Sequence, residues 1–193
     1  GGILVQPRTI AKTEIIERSV VRLDHSSMVV EEPDEKTITH KSIGKRTNLT
    51  EQEFYQAIKE IDPESANQLP QFFNDCSSIG LRISSRPASM VLNWESENGF
   101  LFNFGTILKD GKVDHYYFAG KAEEMGRLDI GEEYLDKISS LFSDGRVVKL
   151  GKSWLWRVKN NGQAIKVNEM LKVKDQWLEI ISKMMEKINH AST

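Results

Sequence analysis

Residues 88–118 read ASMVLNWESENGFLFNFGTILKDGKVDHYYF, and this stretch decides the fold. Apolar and polar residues alternate before and after the Asn98-Gly99 pair, with the two-residue period of half-buried β-strands. Asn98-Gly99 and Asp110-Gly111 are both pairs that accept the positive φ angles of tight hairpin turns. We therefore expect three consecutive antiparallel strands, the third over residues 113–118. Because the connecting loops are short, these strands form a meander.

Helix signals precede the meander. Thr50 and Glu53 have the spacing of a capping box, in which each side chain satisfies the backbone N–H of the other residue, so a helix is predicted to begin at Glu51. Asp62-Pro63 repeats the signal, with an aspartate cap followed by a proline in the first turn. Pro70 is expected to break this second helix early.

Further helices and strands follow the meander. An apolar stripe predicts a helix over residues 129–142, and two strands are expected around residues 150–152. The Asn160-Asn161-Gly162 run predicts another tight turn, and a long amphipathic helix carrying Trp177 closes the chain. The predicted fold class is therefore α+β, an antiparallel β-meander with helices packed on it.

The N-terminal segment has a different composition. Residues 1–30 contain two β-branched runs around a polar turn, which predicts a β-hairpin arm or the tail of a preceding module. Residues 31–48 are polar and charged, as in a linker. Since an isolated hairpin is marginally stable in water, the arm is expected to pack on the α+β domain of residues 49–193 or on another chain.

Composition excludes several classes of protein. Cys76 is the one cysteine among 193 residues, so the chain has neither an internal disulfide nor a thiolate zinc cluster. No apolar run approaches the roughly 18 residues that span a bilayer, and no signal peptide is visible. These features predict a cytoplasmic protein that does not enter membranes.

No catalytic, metal or cofactor site emerges from the motifs. The four histidines lack the spacing of metal ligands on a helix, and no glycine-rich phosphate loop is present. Cys76 is placed on an apolar helical stripe, which indicates a core residue more than a nucleophile. We therefore assign no catalytic residue, no metal and no cofactor.

Charge is distributed unevenly. The net charge of −2 divides into +1 for residues 1–50, −9 for residues 51–145 and +6 for residues 146–193. Such an asymmetry indicates a polyanionic partner, or else an intramolecular match between the acidic and basic regions.

Cations and aromatic residues are interleaved in the basic region. Lysine and arginine neutralise phosphates, and exposed tryptophan stacks on unpaired bases, so this pattern predicts a nucleic-acid surface. The alternative is that both tryptophans point into the core while the cations form an ordinary solvated face. The candidate residues are Lys149, Lys152, Trp154, Trp156, Arg157, Lys159 and Lys166.

From Leu49 onward, the layout resembles a poorly characterised accessory domain found behind restriction-endonuclease-like, PD-(D/E)XK, modules in bacterial proteins of unknown function. The resemblance rests on short stretches of apolar and turn residues: Glu53-Phe54, Gly80-Leu81-Arg82-Ile83, Phe102-Asn103-Phe104-Gly105, Asp110-Gly111-Lys112-Val113-Asp114, Tyr134-Leu135-Asp136-Lys137-Ile138 and Trp177-Leu178-Glu179-Ile180-Ile181. It implies that residues 9–30 are the trailing strands of a nuclease-like module.

The nuclease chemistry itself does not carry over. Such enzymes need two strand-borne carboxylates for Mg²⁺ and a lysine that helps to position water. Pro33-Asp34 lies in the polar linker, and Asp110-Gly111-Lys112 lies in a predicted turn. The first hypothesis is therefore a non-catalytic accessory module that binds nucleic acid or a protein partner. The alternatives are a fragment of a nuclease-type enzyme and an oligomerisation domain using Met184 and Met185.

Overall fold

The computed structural model describes residues 48–151 and 155–190, beginning with two helices. Helix α1 spans Glu51–Ile61, and helix α2 spans Pro63–Ser78. The predicted capping box is formed, since Glu53 N donates to Thr50 Oγ1 at 3.2 Å and Thr50 N donates to the Glu53 carboxylate at 2.8 Å. The side chain of Asp62 caps α2. Both predicted helix starts are confirmed.

Helix α2 continues through Pro70, so the expected early break is wrong. The proline lies at an exposed position, and the turns beyond it carry Phe72, Phe73 and Cys76, which are all buried. The free energy gained by packing this apolar stripe offsets the cost of the backbone hydrogen bond that proline cannot form.

A four-stranded antiparallel sheet follows in the order β1-β2-β3-β4. Gly99 and Gly111 have φ angles of 78° and 79° at the two predicted turns. The antiparallel order of the meander is therefore confirmed as far as Asp114, and a strand before it extends the sheet. The four strands are β1 (Arg82–Arg86), β2 (Ser89–Glu95), β3 (Leu101–Leu108) and β4 (Val113–Asp114).

The predicted third strand over residues 113–118 is wrong beyond Asp114. Helix α3, Tyr116–Glu124, begins two residues later. Phe118 is buried on this helix, with ring centroids 5.2 Å from Phe102 and 4.9 Å from Phe104. A short aromatic run fits either a strand or a helix, and these contacts with β3 favour the helix.

Strand β3 contains a bulge. Leu92 of β2 pairs with Gly105, but the next residue, Asn93, pairs with Asn103. Phe104 is therefore the extra residue, and the alternation of faces changes phase there. Uninterrupted alternation would place Thr106 on the same face as Phe104, but the bulge turns it to the opposite face.

The second half of the chain forms helix α4, Leu128–Ser139, and a three-stranded antiparallel sheet. Its strands are β5 (Gly145–Lys149), β6 (Trp156–Asn160) and β7 (Gln163–Ala164). Asn161 and Gly162 have φ angles of 50° and 73°, which confirms the tight turn between β6 and β7.

The two sheets meet where β4 and β7 run side by side. An antiparallel bridge joins Lys112 to Lys166, and Val113 N donates to the Ile165 carbonyl at 2.9 Å. We call this junction the seam. It extends the meander into a nearly continuous set of strands in the order β1-β2-β3-β4-β7-β6-β5.

Two helices complete the described chain: α5, Val167–Lys172, and α6, Lys174–His190. The last helix is confirmed, and its stripe enters the core with Trp177, Ile181, Met184, Met185 and Ile188. Since Met184 and Met185 are buried, they do not offer an oligomerisation surface. The fold is α+β, as predicted.

The N-terminal predictions lie outside this description. The β-hairpin arm of residues 1–30 and the linker of residues 31–48 fall on undescribed residues, except for Asn48. Lys152 and Trp154 of the candidate surface are also outside the described residues.

Candidate nucleic-acid interface

Strand β6 turns cations to one side and apolar residues to the other. Trp156 and Val158 are buried, at 3% and 4% exposure, whereas Arg157 is exposed and Lys159 is partly exposed. On the neighbouring strand, Arg146 lies directly opposite Lys159. Because directly opposed residues of an antiparallel pair share a face, Arg146, Arg157 and Lys159 point outward together.

The Arg146–Lys159 pair places two positive charges face to face. Neither side chain makes an ion pair within the described part of the chain. Both border a shallow hollow of about 430 Å³, where Asp144 is the acidic lining residue. Like charges directly opposite each other destabilise a sheet, and here no described acid forms an ion pair that would offset the repulsion directly.

Arg157 extends the charged face towards the four-stranded sheet. Its Nε lies 3.7 Å from Asp114 Oδ1, and its guanidinium lies 5.3 Å from the ring centroid of Tyr116. Burial raises the pKa of Asp114, while the charge of Arg157 acts in the opposite direction. Asp114 thus ties Arg157 to the edge of β4.

Lys166 and Lys112 continue this face across the seam. Their neighbours Ile165 and Val113 are buried, so strand alternation turns both lysines outward. Lys112 Nζ lies 2.6 Å from Asp110, whereas Lys166 is exposed and forms no ion pair with a described residue. Both also line a cleft of about 470 Å³ beside the start of α2.

Five cations described above point outward from the two sheets, and we call the surface that they form the basic sheet face. The candidate residues Arg157, Lys159 and Lys166 belong to it, and Arg146 and Lys112 are additions. The sequence pattern missed Arg146 because its partner depends on the register between β5 and β6. Its members are Lys112, Arg146, Arg157, Lys159 and Lys166.

Two other candidate residues take different positions. Trp156 is buried, which supports the core interpretation of this tryptophan and leaves its ring closed to a base. Lys149 is exposed but shares a face of the sheet with Trp156, with its Nζ 4.4 Å from the ring centroid and 3.3 Å from the Glu132 carboxylate. Neither residue joins the basic sheet face.

A cleft of about 580 Å³ opens on the outward side of the four-stranded sheet. The β3 bulge shapes it, because Asn103 accepts a hydrogen bond from Gly105 N and donates one to Thr106 Oγ1, both at 2.9 Å. We call it the polar cleft. Its floor is formed by Ser89, Val91, Asn93, Asn103 and Thr106, so one apolar side chain lies among four polar ones, and its walls include Leu101 and Tyr117.

The polar cleft adjoins the basic sheet face. Thr106 on the cleft floor pairs directly with Asp114, so the two side chains share a face of the sheet. Asp114 in turn contacts Arg157. A ligand that crosses this contact would therefore meet polar side chains on one side and cations on the other.

No group of three or more histidine, cysteine, aspartate or glutamate side chains among the described residues is arranged to hold a metal ion. Asp110-Gly111-Lys112 lies in the β3–β4 turn, and Asp110 is paired with Lys112. Cys76 is buried, and burial raises the pKa of its thiol to about 12, so it is a poor nucleophile.

Comparisons with known proteins leave the family of this chain open. No protein-family model, no curated protein and no solved structure matches it. In the described part of the chain, no helix is both long enough and apolar enough to cross a membrane.

Proposed function

We propose that this domain is a non-catalytic module that binds nucleic acid through the basic sheet face. The observation that carries the proposal is the Arg146–Lys159 pair, two cations directly opposite each other without an ion-pairing acid among the described residues. Such a pair weakens the free sheet, and a phosphate between the two side chains would relieve the repulsion. Lys166 adds a further cation across the seam, and it forms no ion pair with a described residue.

Binding by this face is weak and depends on salt. The acidic region of residues 51–145 repels a polyanion, so contact is restricted to a few phosphates. Releasing counterions from about three phosphates of a single strand makes log K fall with log salt at a slope near −2. A threefold rise in salt should then weaken binding roughly tenfold.

An accessory role beside a restriction-endonuclease-like module belongs to the same proposal. Its support is the resemblance in layout from Leu49 onward. A module that holds a nucleic-acid backbone without cleaving it would raise the local concentration of a linked nuclease on its substrate. A docking surface for a protein partner is the alternative role of the same cations.

Charge reversal on the two facing residues tests the proposal. Binding of fluorescent single-stranded and duplex DNA and RNA would be measured at low salt for the native protein and for Arg146→Glu/Lys159→Glu. We expect at least a tenfold loss of affinity, because the variant replaces two attractive contacts with repulsive ones. Absence of binding by the native protein to all four nucleic acids would overturn the proposal.

A matched control separates the local effect from the change in net charge. Lys59→Glu/Lys109→Glu makes the same charge change at exposed positions in α1 and next to the β3–β4 turn. This variant should bind nearly as well as the native protein. If both double variants lose affinity equally, binding reflects overall charge and not the basic sheet face. Thermal unfolding of each variant verifies that the fold is retained.

A further inference from the structure

We infer that the polar cleft holds one unpaired base of a strand whose phosphates lie on the basic sheet face. The inference rests on the proposed function and adds the class of ligand to it: a single-stranded nucleic acid with a base turned into the protein. Three properties of the cleft carry it, namely its polar floor, its aromatic wall and its balanced charge.

The floor offers hydrogen bonds that the protein does not use. Ser89 and Asn93 are 7% exposed, and neither side chain has a hydrogen-bond partner among the described residues. A side-chain amide presents a donor beside an acceptor, which is the pattern on the edge of a nucleobase. Asn103 is held in place by the bulge, and its bond to Thr106 Oγ1 leaves the threonine hydroxyl free to donate.

The wall offers an aromatic surface. Tyr117 is 47% exposed, although one side of its ring stacks on Tyr116 with centroids 4.0 Å apart. Leu101 is exposed to the same extent and also lines the cleft. Stacking on aromatic rings is how single-strand-binding proteins hold bases of any sequence. The pair of tyrosines also lies beside Arg157, since the guanidinium covers the Tyr116 ring.

Charge distinguishes the two parts of the surface. The cleft is lined by Arg86 and Lys121 and by Glu123 and Glu124, and Lys121 is paired with Glu124. Positive and negative charges therefore balance, and an uncharged group fits better there than a phosphate. The basic sheet face has the opposite character, so a nucleotide crossing the Asp114–Arg157 contact would place its base and its phosphate in matching surroundings.

Oligonucleotides with and without bases test the inference. The native protein would be titrated at low salt with a single-stranded oligonucleotide and with an abasic strand that has the same number of phosphates. We expect the strand with bases to bind about tenfold more tightly, the size of one stacking contact. Asn93→Leu and Tyr117→Ala should each reduce this preference without weakening the binding of the abasic strand. Gln176→Leu, an exposed amide on α6, is the matched control and should leave both affinities unchanged.

The outcomes separate the inference from the proposed function. Equal binding of the two strands by the native protein would overturn the base-holding cleft and leave the basic sheet face intact. A preference for bases that survives both cleft variants would also overturn it. If neither strand binds, the proposed function fails. Whether the polar cleft binds a base would then be tested by titrating the native protein with free nucleosides. If the NMR signals of the Asn93 and Asn103 side-chain amides do not shift, the inference fails as well.

Discussion

The indole ring of Trp177 lies directly against the backbone of Gly105. A Cβ atom built on Gly105 would lie 2.6 Å from Cζ2 of the ring, closer than any normal contact. Gly105 follows the bulge residue of β3, and Trp177 stacks on Phe72 of α2 with centroids 5.2 Å apart. Because glycine has no side chain, the Trp177 ring can contact the backbone of β3, and α6 can pack close to the sheet.

Gly105→Ala should destabilise the domain by about 1–3 kcal/mol, because the added methyl group must displace a large ring in a packed core. Chemical denaturation, with the free energy of unfolding compared at equal m-value, measures the effect. Trp177→Phe removes the ring atoms concerned, so Gly105→Ala should be less harmful in that background. Simple additivity of the two substitutions would contradict the proposed clash.

Tyr134→Phe should destabilise the domain by about 1–3 kcal/mol through lost hydrogen bonds. The Tyr134 hydroxyl donates to the carbonyl of Phe104, which the bulge leaves outside the strand pairing, and accepts from Trp177 Nε1 at 3.1 Å. Removing the hydroxyl leaves the buried carbonyl of Phe104 and the buried indole N–H of Trp177 without a partner. Tyr117→Phe, at an exposed position, is the control and should change the free energy of unfolding by less than about 0.5 kcal/mol.

His115 should make the folded state less stable as the pH falls below neutrality. Burial lowers its pKa from 6.5 to about 3, and its Nε2 has no hydrogen-bond partner in the described structure. Between these values the unfolded chain binds a proton that the folded protein excludes. The contribution of neutral His115 to the free energy of unfolding is therefore fully present above pH 6.5. It decreases as the pH falls, by up to about 1.4 kcal/mol per pH unit.

Urea unfolding at pH 8, 6.5, 5.5 and 5 measures this effect. His115→Phe keeps an aromatic ring beside Trp177 and should flatten the profile over this range. Carboxyl groups whose pKa values are lowered, such as Asp62 and Asp75, lose their stabilising contributions mainly at lower pH. Identical profiles for native protein and variant would show that His115 is not the group responsible.

Lys159→Glu should stabilise the free domain while weakening its binding of nucleic acid. The substitution turns the cross-strand repulsion with Arg146 into an attraction, worth about 0.2–1 kcal/mol. Thermal unfolding at low salt measures the gain, which should shrink in 1 M NaCl because exposed charges are screened. A less stable variant, or one that binds as tightly as the native protein, would contradict the assigned role of this pair.

Local chemistry made much of the fold predictable. The caps at Thr50 and Asp62 and the turns at Gly99 and Gly111 depend on residues close in sequence, so all four are predictable from the sequence. Errors arose where distant packing decides the outcome. Pro70 remains in its helix because the following stripe is buried, and residues 116–118 form a helix because Phe118 packs on β3.

The candidate site was predictable only in part, for the same reason. Alternation along one strand is sufficient to predict that Arg157 and Lys159 share a face. To predict that Lys159 faces Arg146, one must know the register between β5 and β6. To predict the polar cleft, one must know that a bulge in β3 turns Thr106 outward. No spacing along the chain encodes either relationship. The burial of Trp156 likewise depends on the helices packed behind its sheet.

We expect the seam to form late when the chain folds. Each hairpin pairs residues that are near in sequence, whereas the bond from Val113 N to the Ile165 carbonyl closes a long loop that contains α3, α4 and all three strands of the second sheet. Closing such a loop has an entropic cost that local hairpins avoid, so contacts across the seam form after the hairpins. Substitutions at Ile165 should therefore accelerate unfolding more than they slow folding. The continuous outward surface becomes available only in this last step.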